Sequence, residues 1–286
     1  MRADLSTSGR ARRTERTRVG DGQRSGSDPC PEPEPADSVS RGHVDHDLAG
    51  VPADDHGCGR QGVHGWLLPA AVGIGAPSIT AFLLTAAHDG RDGVHRLGRG
   101  GIRWRVPARW YLVLVAIPAL AFGGSWAMAA AAGGPTVISP LVPAIISGLL
   151  AGLLEEFGWT GFAFPALQAR FGFAGAGAAV GVIVAVWHLP FFLLPGTTQN
   201  TSSFVMFLLI LIAARIVFGY LYNVSGGSIL LAILLHAFAN TWSETLGTGS
   251  DNADAAGLTK LGVLTVAALA AVWLTRRRAS WLEERP

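Results

Sequence analysis

The chain has 286 residues, half of them apolar, with 15% charged residues, 37 glycines and a formal net charge of +2. An average soluble domain carries about 25% charged residues, so this balance excludes an ordinary water-surrounded globule and points to lipid. The arginines sit in loops and tails, so no nucleic-acid partner is expected.

Residues 1–65 are rich in Arg, Asp, Gly, Pro and Ser and hold no apolar run able to build a core. They predict a disordered N-terminal tail. The basic start is followed by no apolar segment of the kind a signal peptide needs. Cys30 and Cys58 are the only cysteines, and they show neither ligand spacing nor a readable disulfide framework.

From Trp66 the character changes. Apolar stretches of about 20 residues, the length that crosses roughly 30 Å of hydrocarbon, fall near 66–88, 109–133, 137–158, 174–194, 203–222, 227–246 and 257–275. Unpaired backbone polar groups are too costly in lipid for open strands, so these predict about seven helices. The expected architecture is all-α: a polytopic transmembrane helix bundle over 66–278, with an active-site cavity inside it and a short C-terminal tail over 279–286.

Arg91, Arg96, Arg99, Arg103, Arg105 and Arg109 lie between the first two spans, and Arg276, Arg277 and Arg278 follow the last. Seven spans put both clusters on one side, which the positive-inside rule makes the cytoplasm; Arg170 lands there too. The protein is therefore expected in a plasma membrane of bacterial type, with its C-terminus cytoplasmic and membrane lipid as a partner. The tail, with nine arginines and eleven acidic residues, would then lie outside. That conflict leads to the expectation of a further N-terminal helix preceding it. Mass-spectrometric mapping of the mature N-terminus tests this, and a native start at Met1 counts against it.

Ionisable side chains within a membrane are functional candidates because each is costly there. Between Val137 and Leu246 only Glu155, Glu156, Arg170, Arg215 and Glu244 are acidic or basic, besides histidines. Glu155 and Glu156 are expected at the cytoplasmic end of the third span. Adjacent residues point about 100° apart on a helix, so the two carboxylates predict separate roles. His188, followed by Leu189 and Pro190, is the sole ionisable group between Phe171 and Thr201. Pro190 lacks an amide hydrogen and loosens the helix there. His236 and Asn240 share one helix face, one turn apart. Each motif alone could be interhelical glue. Together they supply a base, a proton-handling partner and an oxyanion donor, the parts needed to attack an amide with water.

The order E-E-x-x-x-[R], an aromatic-rich segment ending in His, and H-x-x-x-N resembles the CAAX prenyl protease and bacteriocin-processing family, also called type II CAAX endopeptidases or Abi proteins. The core resemblance runs from about Leu149 to Thr241, and a weaker one covers Ala76-Pro77-Ser78 and Trp104–Tyr111. It implies an intramembrane glutamic endopeptidase without a cofactor, although such proteins are often labelled metallopeptidases. Its substrate would be a peptide or protein at the membrane. Glu155 would activate water with His188, and His236 and Asn240 would stabilise the oxyanion, with Glu156 supporting. The family's arginine five residues after the first glutamate is Thr160 here. Arg215, within the fifth span, is the expected replacement that neutralises a motif glutamate. Three other readings stand beside this one: a catalytically inactive immunity or scaffold protein, a Zn²⁺ peptidase using the Glu and His residues, and a proton-coupled transporter.

Overall fold

Two glycine pairs at i, i+4 spacing control how the helices approach. Small residues in that pattern let membrane helices come to backbone contact, where packing rather than water exclusion drives association. In the computed structural model, a side chain at Gly148 or Gly152 would begin 2.6 Å from the carbonyl oxygen of Ala237 or Ile233 respectively. Gly177 and Gly181 are equally confined, 2.8 Å from the Ile216 Cα and 2.6 Å from the Ile212 Cα.

The structure describes residues 58–134, 136–194, 199, 203–248 and 253–283. Most of the expected N-terminal tail and the last three residues lie outside these. In chain order the elements are α1 (Cys58–Gly101), α2 (Ala108–Pro118), a π-helical segment π1 (Ala119–Gly123), α3 (Gly124–Ala131), β1 (Thr136–Ile138) and α4 (Leu141–Glu156). There follow a second π segment, π2 (Phe157–Ala163), α5 (Phe164–Trp187), α6 (Leu189–Leu193), α7 (Phe204–Val224), α8 (Ile229–Thr245), β2 (Leu246–Thr248) and α9 (Ala253–Glu283). The glycine pairs fasten α4 to α8 and α5 to α7, while α9 packs on α7 and α3. A core of Leu114, Val217, Leu221, Leu231, Leu235 and Ala268 joins α2, α7, α8 and α9.

Large apolar side chains also cover the outside. Leu112, Val142, Leu150, Val205, Val266 and Leu269 are all exposed. That inversion suits a surface solvated by lipid tails, and the protein is an all-α integral membrane bundle. Four stretches among the described residues are long and apolar enough to cross by length and composition: Ala108–Ala131, Leu141–Trp187, Phe204–Val224 and Ala255–Arg277. The expected count of seven is therefore not established. α8, at 17 residues, is shorter than those four, and the Leu141–Trp187 stretch is bent.

Local chemistry explains the ends. Ser203 and Ser228 cap α7 and α8 by accepting from the amides of Met206 and Leu231, each at 3.3 Å. Ser228 also donates to the Arg103 carbonyl at 2.7 Å, tying α8 to the segment before α2. At the other end of the bundle, β1 and β2 pair antiparallel, with Thr136 opposite Thr248. This clasp joins the start of α4 to the end of α8.

Three boundaries differ from those the sequence predicts. The first helix does not stop near residue 88 but continues to Gly101 through a kink at Gly90, where φ is +63°. The arginine-rich stretch folds as helix because Leu97 is buried while Arg91, Arg96 and Arg99 stay exposed. The third helix does not stop after Glu156. It runs on through π2 into α5 as far as Gly172, whose φ of +69° makes the first sharp break. The glutamates therefore sit near the middle of a long helical run, not at its end. Pro165 accounts for the π turn: it cannot donate to the carbonyl four residues back, and its ring crowds that carbonyl, so a wider turn upstream relieves both. Finally, α5 ends at Trp187, and α6 restarts at Leu189 with Pro190 in its first turn.

Candidate active site

The backbone contacts of Gly148 and Gly152 carry α8 directly past α4, and this brings His236 to the glutamate pair. Glu155 and Glu156 are both buried, with 4% and 0% of their surfaces exposed. Their surroundings nevertheless differ.

Glu156 accepts four hydrogen bonds. Nη1 of Arg215 bridges its two oxygens, donating at 2.8 Å to Oε1 and 2.9 Å to Oε2. Thr160 Oγ1, one turn further along the same run, donates to Oε2 at 2.5 Å. Nδ1 of His236 lies 2.7 Å from Oε1. An ionised carboxylate only accepts, so Nδ1 of His236 carries a proton there, and Nε2 is directed elsewhere. Arg215 is 4% exposed and Thr160 is 2% exposed, so this carboxylate is compensated entirely within the protein. Arg215 also lies over the Phe218 ring at 4.7 Å from its centroid, and Phe218 meets the His236 ring edge-on at 6.3 Å.

Glu155 accepts one hydrogen bond, from Trp159 Nε1 at 3.3 Å. Arg215 and His236 lie within electrostatic range of it, as they do of His188. A chain of aromatic rings leads from Glu155 to His188. Trp159 meets Trp187 edge-on at 6.0 Å, and Trp187 meets His188 at 4.7 Å. His188 donates from Nδ1 to the Val184 carbonyl at 2.8 Å, which leaves its Nε2 available. Phe207 of α7 packs edge-on against the same imidazole at 5.3 Å. Asn240 stands one turn beyond His236 on α8, half-buried. Its neighbour Thr241 donates to the Ala144 carbonyl at 3.3 Å and holds this turn against α4.

The structure thus joins Glu156, Thr160, Arg215 and His236 in one hydrogen-bonded unit. Glu155 lies beside it, His188 is reached through two tryptophans, and Asn240 is on the adjoining turn. Among the described residues no three His, Cys, Asp or Glu side chains converge as a metal-ligand set. A cleft of about 490 Å³ lies elsewhere, between the α1 elbow, π2 and the start of α8, and His88, Arg96, Phe162, Tyr222 and Ile229 are among its lining. None of Glu155, His188, His236 or Asn240 lines it. Leu97 and Ile229 on its wall belong to an apolar cluster that also takes in Phe157, next to Glu156.

Sequence reasoning missed Trp159, Phe218 and the two glycine pairs. Trp159 was signalled by its position four residues after Glu155. The pairs were readable as G-x-x-x-G within apolar runs.

A buried carboxylate pair, one member saturated and the other open, set in a lipid-facing helical bundle, defines a membrane protein with an embedded polar centre. Residues 137–242, which carry every residue of that centre, match the family model described as type II CAAX prenyl endopeptidase Rce1-like. Over this core the resemblance to CAAX prenyl endopeptidases read from the sequence is borne out. The chain is also similar to CAAX prenyl protease 2 of Methanococcus maripaludis, with 30% identity over 166 residues that cover 56% of this chain and 59% of that one. It spans about three-fifths of the length of the curated relative it matches.

Proposed function

We propose that the protein is an intramembrane endopeptidase of the glutamic type, hydrolysing a peptide bond in a membrane-associated substrate. The observation that carries this reading is the inequality of the two carboxylates. Glu156 has its acceptor capacity taken up by Arg215, Thr160 and His236, whereas among the described residues Glu155 accepts only from Trp159. A desolvated carboxylate with free lone pairs is suited to take a proton from water.

In this mechanism a water sits between Glu155 and Nε2 of His188. Glu155 takes one of its protons as the oxygen bonds to the scissile carbonyl carbon. The carbonyl becomes an oxyanion, and Nε2–H of His236 and the Asn240 carboxamide donate to it. Glu156, at the other side of the His236 ring, balances the charge of an imidazole protonated at both nitrogens. Glu155 then passes its proton to the leaving nitrogen, the C–N bond breaks to give a carboxylic acid and an amine, and the acid's proton passes to the amine as the carboxylate and ammonium products depart.

The name of the Methanococcus relative makes a prenylated protein ending in a CAAX motif the first substrate to test. The arginine distribution supports a cytoplasmic C-terminus. Membrane peptidomics on cells carrying wild type or Glu155→Gln tests the reading. Cleavage products that disappear with the variant, with loss of about 10²–10⁴-fold in rate for a lost general base, are expected. Equal product sets would reject it in favour of an inactive scaffold. Metal analysis of the purified protein is run alongside, and activity that tracks bound Zn²⁺ would replace the glutamic mechanism with the metal-dependent one.

A further inference from the structure

Arg215 comes from α7, 59 residues after the carboxylate it binds. It does not touch Glu155 or Asn240 by any hydrogen bond among the described residues, yet it meets two groups that contact the His236 ring. It bridges Glu156 and covers Phe218. The four side chains form a closed circuit: Arg215 to Glu156, Glu156 to His236, His236 to Phe218, and Phe218 back to Arg215.

We propose that Arg215 is a positioning residue: by fixing Glu156 as an acceptor, it holds His236 with Nδ1–H on Glu156 and Nε2–H presented to the substrate. Its kinetic consequences rest on the peptidase reading; its geometric ones do not. A carboxylate with no exposed surface inside a lipid-surrounded bundle needs a cation at hand. Without one, Glu156 takes up a proton or turns away. A protonated acid can donate to Nδ1 of His236 instead of accepting from it, and the ring then loses the Nδ1 proton and the charge that strengthens its Nε2–H as a donor. The contact uses a single guanidinium nitrogen, so the charge and its reach matter more than the planar fork. Thr160 lies at i+4 from Glu156, the spacing from which a long side chain on a helix reaches back to a carboxylate. An arginine placed there could supply the same cation from the other side.

The test uses the full chain in phosphatidylethanolamine/phosphatidylglycerol vesicles and a fluorogenic farnesylated peptide with a CAAX end. Arg215→Met is expected to lower kcat about 10²-fold with KM within about twofold, the pattern of an interaction made in the transition state. Arg215→Lys should retain most of the rate, and Thr160→Arg added to Arg215→Met should recover at least about tenfold. A double variant no faster than Arg215→Met, or an Arg215→Met as fast as wild type, overturns the proposal. Nitrogen-15 NMR of histidine-labelled protein, with His236 assigned by its absence in His236→Asn, reads the ring directly and needs no activity. Nδ1 protonated in wild type and changed in Arg215→Met supports the proposal. Nδ1 bare in wild type, or a ring unchanged in a folded Arg215→Met, refutes it. If wild type cleaves the peptide no faster than Glu155→Gln, the peptidase reading fails while the NMR result still decides the role of Arg215.

Discussion

Trp159 and Thr160 are neighbours that serve different carboxylates, one donating to Glu155 and the other to Glu156. Their variants should separate activity from stability. Trp159→Phe keeps an aromatic ring against Trp187 but removes the N–H that orients the open carboxylate. Turnover of the farnesylated peptide should fall about tenfold while the melting temperature in detergent barely moves, since a contact as long as 3.3 Å adds little to the stability of the resting fold. Thr160→Val is nearly isosteric and leaves the fully buried Glu156 short of one donor. Thermal unfolding should show a loss of about 1–3 kcal/mol. At this scale much of the site was legible. Glu155, His188, His236 and Asn240 stand out because polar groups are conspicuous in apolar sequence. The division of labour within Glu155-Glu156 was not legible, because it depends on Arg215, which lies on another helix. Helical phase alone says that the two differ, not which of them the cation takes.

Between elements, the closest contacts are made by backbone. Gly152 meets the Ile233 carbonyl one turn before His236, so a side chain there drives α8 away from the glutamates. Gly152→Leu should abolish cleavage and cost at least about 1–3 kcal/mol from overpacking, seen as a lowered unfolding midpoint. Gly181→Val, on the α5–α7 contact, should lower stability similarly. The π segment sets the phase between Glu156 and the downstream half of the run. Deleting one residue within Phe157–Trp159 would turn everything after it by about 100° and remove Thr160 from Glu156. Such a deletion should inactivate the protein even where helical content by circular dichroism is kept. The apolar runs announced these helices, but their ends were misjudged for a physical reason. Hydropathy falls at Glu155-Glu156 just as it does at a loop, whereas what ends a helix is backbone geometry, which here waits until Gly172.

For the molecule as a whole, the exposed leucines and valines and the buried ion pair describe a protein turned inside out relative to a soluble one. The lipid that solvates its surface also keeps water from weakening the Arg215–Glu156 pair. The arginines of α1 and of the C-terminal end of α9 lead to one prediction about placement. A C-terminal reporter active only in the cytoplasm should be active, and one active only outside should be silent; the reverse result overturns the orientation. The number of crossings was the least legible property of the fold. Length and apolarity identify a stretch that can span, but α8 is short and the Leu141–Trp187 stretch folds back at Gly172, so composition and crossings do not correspond one to one.

The 59 residues that separate Glu156 from Arg215 also have a meaning in time. A ribosome delivers the acid to the membrane well before it delivers the base, and His236 later still. During that interval the carboxylate has no partner, so the nascent α4 must wait near the lipid headgroups, stay close to the translocon, or carry a proton. The centre closes only when α7 and then α8 arrive. Synthesis order thereby sets assembly order, with the buried carboxylate laid down first and its compensation completed last.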